Sequence, residues 1–163
     1  PEKDRVFWSG SNSSRWRRSA VSFFVPSTVP RIRSLPLSFW VAIRNDRDGH
    51  HATASRLLTV ADEHPLVTSN HVRGETWTFL RRKVGHAAAM GFLDHLGRSP
   101  RLQVVPVTSE LEERAWVWLR RHDEREYSFV DATSFALMRS LKIKDALAFD
   151  GDFTAAGFRE LRP

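Results

Sequence analysis

Short apolar runs alternate with longer amphipathic stretches from residue 38 onward, and this alternation limits the possible fold more than any other feature of the sequence. The runs are rich in Val, Leu and Phe and have the length of buried strands. The stretches between them have the roughly 10 to 15 residues of helices that connect strands. Parallel strands linked by helices satisfy such a pattern economically. The sequence therefore predicts an α/β fold with three layers, in which helices flank a central, mostly parallel sheet.

The positions of the elements follow from apolar periodicity and from local start and stop signals. Helices are expected at residues 39–45, 50–61, 70–83, 86–97, 109–121 and 128–140. Strands are expected at residues 66–68, 102–107, 146–149 and 158–161. Ser69 is expected to cap the third helix, and Ser109 with Glu112 is expected to form a capping box at the fifth. Gly157 is expected to mark the turn before the last strand.

The first 37 residues differ from the rest of the chain. Residues 1–35 contain seven of the 25 Lys and Arg residues, three of the eight prolines and no sustained periodicity. This composition predicts a disordered or non-native N-terminal extension, and it loosely resembles a transit peptide as an alternative to a solvated tail. The sequence starts at Pro1 rather than Met, so we also considered that a frame change or a misassigned start replaced the native beginning. Residues 38–163 form the predicted domain.

Charge and cysteine content exclude several functional classes. Residues 36–163 carry 18 Lys and Arg against 17 Asp and Glu, so the net charge of +6 belongs mainly to the extension and is no evidence for nucleic-acid binding. The chain has no cysteine, which excludes thiol nucleophiles and disulfides and suggests a reducing, cytoplasmic setting. The apolar run at residues 20–25 is too short to span a membrane, and no membrane association is expected.

Three acidic residues lie in apolar segments, where an unpaired carboxylate is costly. Glu75 and Asp131 fall beside the apolar stripes of their predicted helices, and Asp150 directly follows the strand at residues 146–149. Open α/β sheets bind ligands at the carboxyl ends of their strands. We therefore expect the three carboxylates to meet in one cleft, where a divalent metal ion would compensate their charge.

Several segments resemble the PIN-domain ribonucleases, and in particular the VapC toxins of bacterial toxin–antitoxin pairs. The resemblance covers about residues 38–163, and its most specific part is YSFVDATSFALM followed by a strand and FDGDF. Further matching segments are SFWVAIRNDRDGHHATASRLL, LVTSNHVRGETWTFLRRKVGHAAAMGFL and RLQVVPVTSELEERAWVWLRRH. The family implies a PIN-like fold and metal-assisted hydrolysis of RNA.

The resemblance also implies a set of site residues. Glu75, Asp131 and Asp150 match the second, third and fourth acids of the family's metal site, and Asp152 is a possible auxiliary ligand. These residues would hold Mg²⁺ or Mn²⁺. The implied partners are an RNA substrate, a cognate VapB-like antitoxin that inserts a segment near the acids, and a second copy of the chain in a homodimer.

The family's first acid is missing from this chain. It would precede the first helix as part of an Asp-Thr-Ser motif, but Pro36 occupies its place and only Ser38 matches. Proline cannot bind metal, and together with Pro30 and Arg31 it predicts an altered, poor first strand. Asp46 and Asp48 are interpreted as solvated loop charges rather than substitutes. Two hypotheses follow: an active endoribonuclease toxin, or an inactive PIN-like protein that retains antitoxin or RNA binding.

Other conspicuous residues have ordinary interpretations. His50 and His51 are expected to begin a helix rather than bind metal. The tryptophans at 77, 116 and 118 are expected in the core or at a partner interface rather than under nucleobases. A group of cations in the third helix could hold RNA phosphates or could form a solvated face: Arg73, Arg81, Arg82 and Lys83.

Overall fold

A computed structural model describes residues 32–60 and 64–161 of the 163-residue chain. The predicted N-terminal extension therefore lies outside the described residues, except for its last six positions. The end of the predicted second helix, at residue 61, lies outside them as well.

The described residues form seven helices and five strands. The helices are α1 (Leu37–Arg44), α2 (His51–Val60), α3 (Asn70–Lys83), α4 (His86–Arg98), α5 (Ser109–Leu119), α6 (Phe129–Ser140) and α7 (Asp152–Ala155). The strands are β1 (Arg33–Ser34), β2 (Leu66–Ser69), β3 (Leu102–Val105), β4 (Asp145–Ala146) and β5 (Arg159–Glu160).

The five strands form one sheet in the order β3-β2-β1-β4-β5, and every pair is parallel. In the register of the central strands, Arg33 lies beside Leu66 on one side and beside Asp145 on the other. The chain crosses between strands through helices, as parallel pairing requires. This confirms the predicted α/β architecture with helices on both sides of a central sheet.

Alternating side chains of the sheet supply two separate cores. Leu66 and Leu147 point to the core formed with α1 to α4, which contains Phe39, Trp40 and Phe92. Their neighbours in the chain, Val67, Ala146 and Ala148, point to the other face of the sheet. There α5, α6 and α7 form a second core, which contains Phe135 and Phe153. Both faces of the sheet are therefore covered by helices, as is usual for an all-parallel sheet.

The predicted element types are confirmed, with differences in detail and in several bounds. The sequence interpretation missed α7, and it expected an altered, poor first strand before α1 without giving it bounds. A strand does lie there: β1 is only two residues long, yet it occupies the centre of the sheet. The prediction of a capping box from Ser109 was wrong, because Thr108 is the N-cap of α5 and accepts a hydrogen bond from the Leu111 amide.

The folded domain includes residues upstream of the expected boundary at residue 38. Leu35 is fully buried, and its amide donates to the carbonyl oxygen of Val67 at 2.8 Å. The segment between Pro30 and Pro36 was expected to be a poor strand. Its last residues, from Arg33 to Leu35, nevertheless form hydrogen bonds within the sheet. In the described part of the chain, no helix combines the length and the apolar character that a membrane span requires.

Candidate active site

One cleft at the carboxyl end of the central strands gathers the three acids singled out from the sequence. Its volume is about 470 Å³, within the roughly 300–1,000 Å³ of small-ligand sites. Its walls come from α1, the loop before α2, α3, the start of α6 and the segment after β4. The lining residues are Leu37, Ser38, Val41, Asp48, His50, Glu75, Phe79, Ser128, Asp131, Phe149 and Asp150.

Asp131 is fixed by the N-terminus of α6. Ser128 is the N-cap, and its hydroxyl accepts from the Asp131 amide at 3.0 Å. Oδ2 of Asp131 accepts in return from the Ser128 amide at 3.0 Å and from the Ser128 hydroxyl at 2.7 Å. This reciprocal capping box holds the carboxylate in one orientation and uses only one of its two oxygens. Oδ1 accepts no hydrogen bond from any described residue, so it is available to a ligand in the cleft.

Burial and mutual repulsion destabilise the charged forms of two acids. Burial and then the charge of Asp131 raise the pKa of Glu75 above its ordinary value. Burial is also the largest cause that raises the pKa of Asp131, opposed by the hydrogen bonds from Ser128 and reinforced by Asp150 and Asp152. A cation in the cleft would reverse this balance, because it favours the ionised form of each carboxylate.

Arg125 binds both Asp150, which follows β4, and Asp152, the first residue of α7. Nε of Arg125 donates to Oδ1 of Asp152 at 2.6 Å, and its NH2 group donates to the backbone carbonyl of Asp150 at 3.2 Å. Gly151 between them has φ +80°, a conformation that glycine adopts without strain. Asp150 lines the cleft, whereas Asp152 is paired with Arg125 and does not line it.

The opposite wall of the cleft, at the start of α1, lacks a comparable arrangement. Pro36 is the N-cap residue of α1 and makes no side-chain capping bond. Leu37 and Ser38 follow it into the cleft wall, whereas Pro36 itself is buried and is not among the described lining residues. The buried hydroxyl of Ser38 has no hydrogen-bond partner among the described residues.

The donors of the cleft fit a hard divalent cation in type. They are carboxylate oxygens of Glu75, Asp131 and Asp150 together with the unpartnered hydroxyl of Ser38, and Mg²⁺ and Mn²⁺ prefer oxygen donors. Among the described residues, no three His, Asp or Glu side chains approach closely enough to hold an ion as they stand. Metal binding would therefore draw these side chains together.

A pair of stacked rings forms the mouth of the cleft. His50 lies parallel to Phe149, with 4.6 Å between the ring centroids and an interplanar angle of 2°. Phe149 stacks in turn on the buried Phe39, at 6.1 Å and 17°. The carboxylate of Asp48 accepts from the His50 amide at 2.8 Å. The interpretation of Asp48 as a solvated loop charge was incomplete, because this residue lines the cleft and caps the turn before α2.

Other candidates from the sequence lie outside this cleft. None of the four cations of α3, from Arg73 to Lys83, belongs to its described lining. Trp77 and Trp118 pack against the two cores, as expected, and Trp116 stacks on Phe129. The sequence interpretation missed one buried acid, Asp145, whose ion pair with Arg159 joins β4 to β5.

Fold and site together define a class of protein. Residues 38–159 match the model of the PIN domain, and this chain belongs to that family. Its relatives include the 23S rRNA-specific endonuclease VapC20 of Mycobacterium tuberculosis, strains CDC 1551 and H37Rv. The identity is 58% over 127 residues, which cover 77% of this chain and 95% of the relative. The resemblance to VapC toxins is thereby confirmed: the chain is a homologue of a VapC-type PIN ribonuclease toxin.

A solved structure agrees with this assignment. The crystal structure of Mycobacterium tuberculosis VapC20, described as a sarcin-ricin loop cleaving toxin, superposes with a TM-score of 0.75 at 55% identity. The match covers 80% of this chain and 99% of the other.

Proposed function

We propose that this chain is a metal-dependent endoribonuclease toxin that hydrolyses 23S rRNA within the sarcin-ricin loop. The observation that carries the proposal is the meeting of Glu75, Asp131 and Asp150 in one cleft at the carboxyl end of the sheet. The names of the relatives at 58% identity supply the substrate class.

Glu75, Asp131 and Asp150 would hold Mg²⁺ or Mn²⁺, and Asp152 could join them if it left Arg125. When bound, such an ion activates water and stabilises charge on a scissile phosphate. The chain's own contribution is positioning. Ser128 fixes one oxygen of Asp131, and the other accepts no hydrogen bond from the described residues. Arg125 restrains the loop that presents Asp150, so two carboxylates are oriented before the substrate arrives.

The finer partner assignments belong to the same proposal. A toxin of this type requires neutralisation, for which we propose a VapB-like antitoxin whose segment enters the cleft. A homodimer and a cytoplasmic site of action are consistent with cleavage of ribosomal RNA. Residues 1–31 remain a proposed addition to the PIN domain.

A second candidate is a PIN-like protein that binds RNA or antitoxin without cleaving RNA. Pro36 favours it, since the N-cap of α1 supplies no carboxylate where the family has its first acid. Loss of one anionic ligand lowers metal affinity and weakens control of the coordination geometry.

Cleavage of intact ribosomes distinguishes the two candidates. Purified chain is incubated with ribosomes and Mg²⁺ or Mn²⁺, and primer extension across the sarcin-ricin loop of 23S rRNA locates any cut. We expect one dominant cut that disappears with EDTA. Asp131→Asn serves as the control for contaminating nuclease. Absence of cutting by the folded chain at every metal concentration would support the inactive alternative.

A further inference from the structure

Three aromatic rings form a continuous stack from the core to the mouth of the cleft. Phe39, in α1, is fully buried. Phe149 stacks on it with an interplanar angle of 17°, and His50 stacks on Phe149 with an angle of 2°. The His50 side chain is exposed. The stack therefore ends at a flat ring that borders the same cleft as the acids.

The backbone that carries the outermost ring is held by hydrogen bonds, and the ring itself is oriented by its contact with Phe149. The Asp48 carboxylate accepts from the His50 amide at 2.8 Å, and the Asp48 carbonyl accepts from the His51 amide at 3.0 Å. His51 is anchored in turn, since its Nδ1 lies 2.8 Å from the carbonyl oxygen of Ala42. A ring that is oriented before binding loses little entropy when a ligand stacks on it.

The stack contributes little that the fold itself needs. Phe39 and Phe149 already pack within the first core, while an exposed ring on top of them buries little further area. No other described ring stacks on His50. The outer face of the imidazole is thus available to a planar partner beside the candidate metal ligands.

We propose that His50 is a stacking platform for one unpaired nucleobase of the RNA, adjacent to the phosphate that lies at the acids. This inference rests on the proposed function and assigns a base-binding subsite to its cleft. Proteins recognise single-stranded RNA loops largely by stacking splayed bases on Phe, Tyr, Trp or His. Such a contact tolerates different bases, so it selects for an unpaired base rather than for a particular base identity.

Fluorescence of 2-aminopurine tests the stack directly. RNA hairpins carry this base at each loop position in turn and are mixed, with Mg²⁺, with chain carrying Asp131→Asn to keep the RNA intact. Stacking on an aromatic ring quenches the emission. We expect strong quenching at one loop position, preserved in His50→Phe and lost in His50→Leu. His86→Leu, at the exposed start of α4 and outside this cleft, is the matched control.

Affinity gives a second readout. Removal of one base–aromatic contact should weaken RNA binding roughly 10-fold in His50→Leu, while His50→Phe stays within about 2-fold of the parent. In the chain that keeps Asp131, His50→Leu should raise KM for RNA cleavage and leave kcat nearly unaltered. Equal quenching by His50→Leu and the parent, or no quenched position with the parent, would overturn the platform.

The outcomes separate this inference from the proposed function. If native chain cuts no RNA but quenches one loop base through His50, the ribonuclease proposal fails and the platform stands. If it cuts RNA with the same KM in His50→Leu and His50→Phe, the ribonuclease stands and the platform fails. Circular dichroism and thermal melting of each variant verify that the fold is retained.

Discussion

Two helix N-termini contribute to the lining of the acidic cleft, and they are built differently. At α6, Ser128 and Asp131 form a reciprocal capping box that orients a carboxylate into the cleft. At α1, the N-cap is Pro36, which makes no side-chain bond, and the nearby Ser38 hydroxyl is buried without a partner. The first terminus is stabilised locally by its own polar groups, whereas the second is not.

The α1 terminus is held instead by packing. Phe39 and Trp40 are fully buried directly behind it, and the Trp40 indole donates to the Thr68 hydroxyl at 3.4 Å. Burial of two such rings stabilises the helix far more than a cap would. The cleft wall at α1 is therefore shaped by buried rings, whereas the wall at α6 is shaped by capping groups.

The largest expected effect comes from removing the carboxylate of the α6 side. Asp131→Asn should lower cleavage of 23S rRNA by at least about 100-fold, because it removes a proposed anionic metal ligand whose role a neutral amide cannot fill. Asp48→Asn, in the same cleft, is the matched control and should change the rate only a few-fold. Cleavage rates measured under single turnover check both. A similar loss of cleavage rate in the two variants would contradict distinct roles for Asp131 and Asp48.

The next largest effect is a gain in metal affinity and cleavage from a change at the N-terminus of α1. Pro36→Asp should tighten Mn²⁺ binding roughly 10-fold and raise cleavage, because it adds a carboxylate at the position to which the sequence resemblance assigns a further acidic ligand. Isothermal titration calorimetry measures the affinity. Pro36→Asn separates the causes, since asparagine caps the helix about as well without adding charge. Equal metal affinity in the two variants would show that residue 36 does not reach the metal.

The two serines beside the cleft should respond in opposite ways. Ser128→Ala removes the N-cap of α6 and should lower the free energy of unfolding by about 1 kcal/mol. Ser38→Ala removes a buried hydroxyl that has no described partner, so it should be neutral or slightly stabilising. Urea denaturation of the metal-free chain measures both. Equal destabilisation would mean that Ser38 has a bonding role in the fold.

The smallest effect concerns pH and the packing behind α1. Burial, followed by the charges of Arg44 and Arg101, lowers the pKa of His95 below 6.5, and its ring lies 5.8 Å from that of Trp40. Between this lowered pKa and 6.5 the unfolded chain binds more protons than the folded one. The stability that neutral His95 contributes to the folded state is therefore fully present above pH 6.5 and is lost as pH falls through that window.

Replacement of His95 tests whether this residue makes the fold less stable as pH falls. His95→Gln cannot be protonated, so its stability should fall less between pH 7 and pH 5 than that of the parent, a window flanking the ordinary histidine pKa of about 6.5. Urea midpoints at several pH values give the comparison, with His86→Gln as the exposed control. Parallel curves for His95→Gln and the parent would exclude His95 as a source of the acid sensitivity.

Much of the molecule was predictable from local patterns. Helical periodicity placed α3 at its observed bounds, and the apolar run before Asp150 placed β4 within one residue of its start. The spacing of Glu75, Asp131 and Asp150 on separate elements was enough to expect one cleft, since parallel strands end at the same edge. The Ser69 cap was also recognisable, because its signal lies within a few residues.

The sequence alone determined the α/β class, the helices and the acids, because periodicity and short-range capping are encoded within each segment. The tertiary structure decided that a two-residue strand before Pro36 lies at the centre of the sheet, since neighbouring strands rather than its own propensity satisfy its backbone. It also decided the pairing of Asp152 with Arg125 and the stack of His50 on Phe149. These contacts join residues far apart in the chain, so no local pattern specifies them.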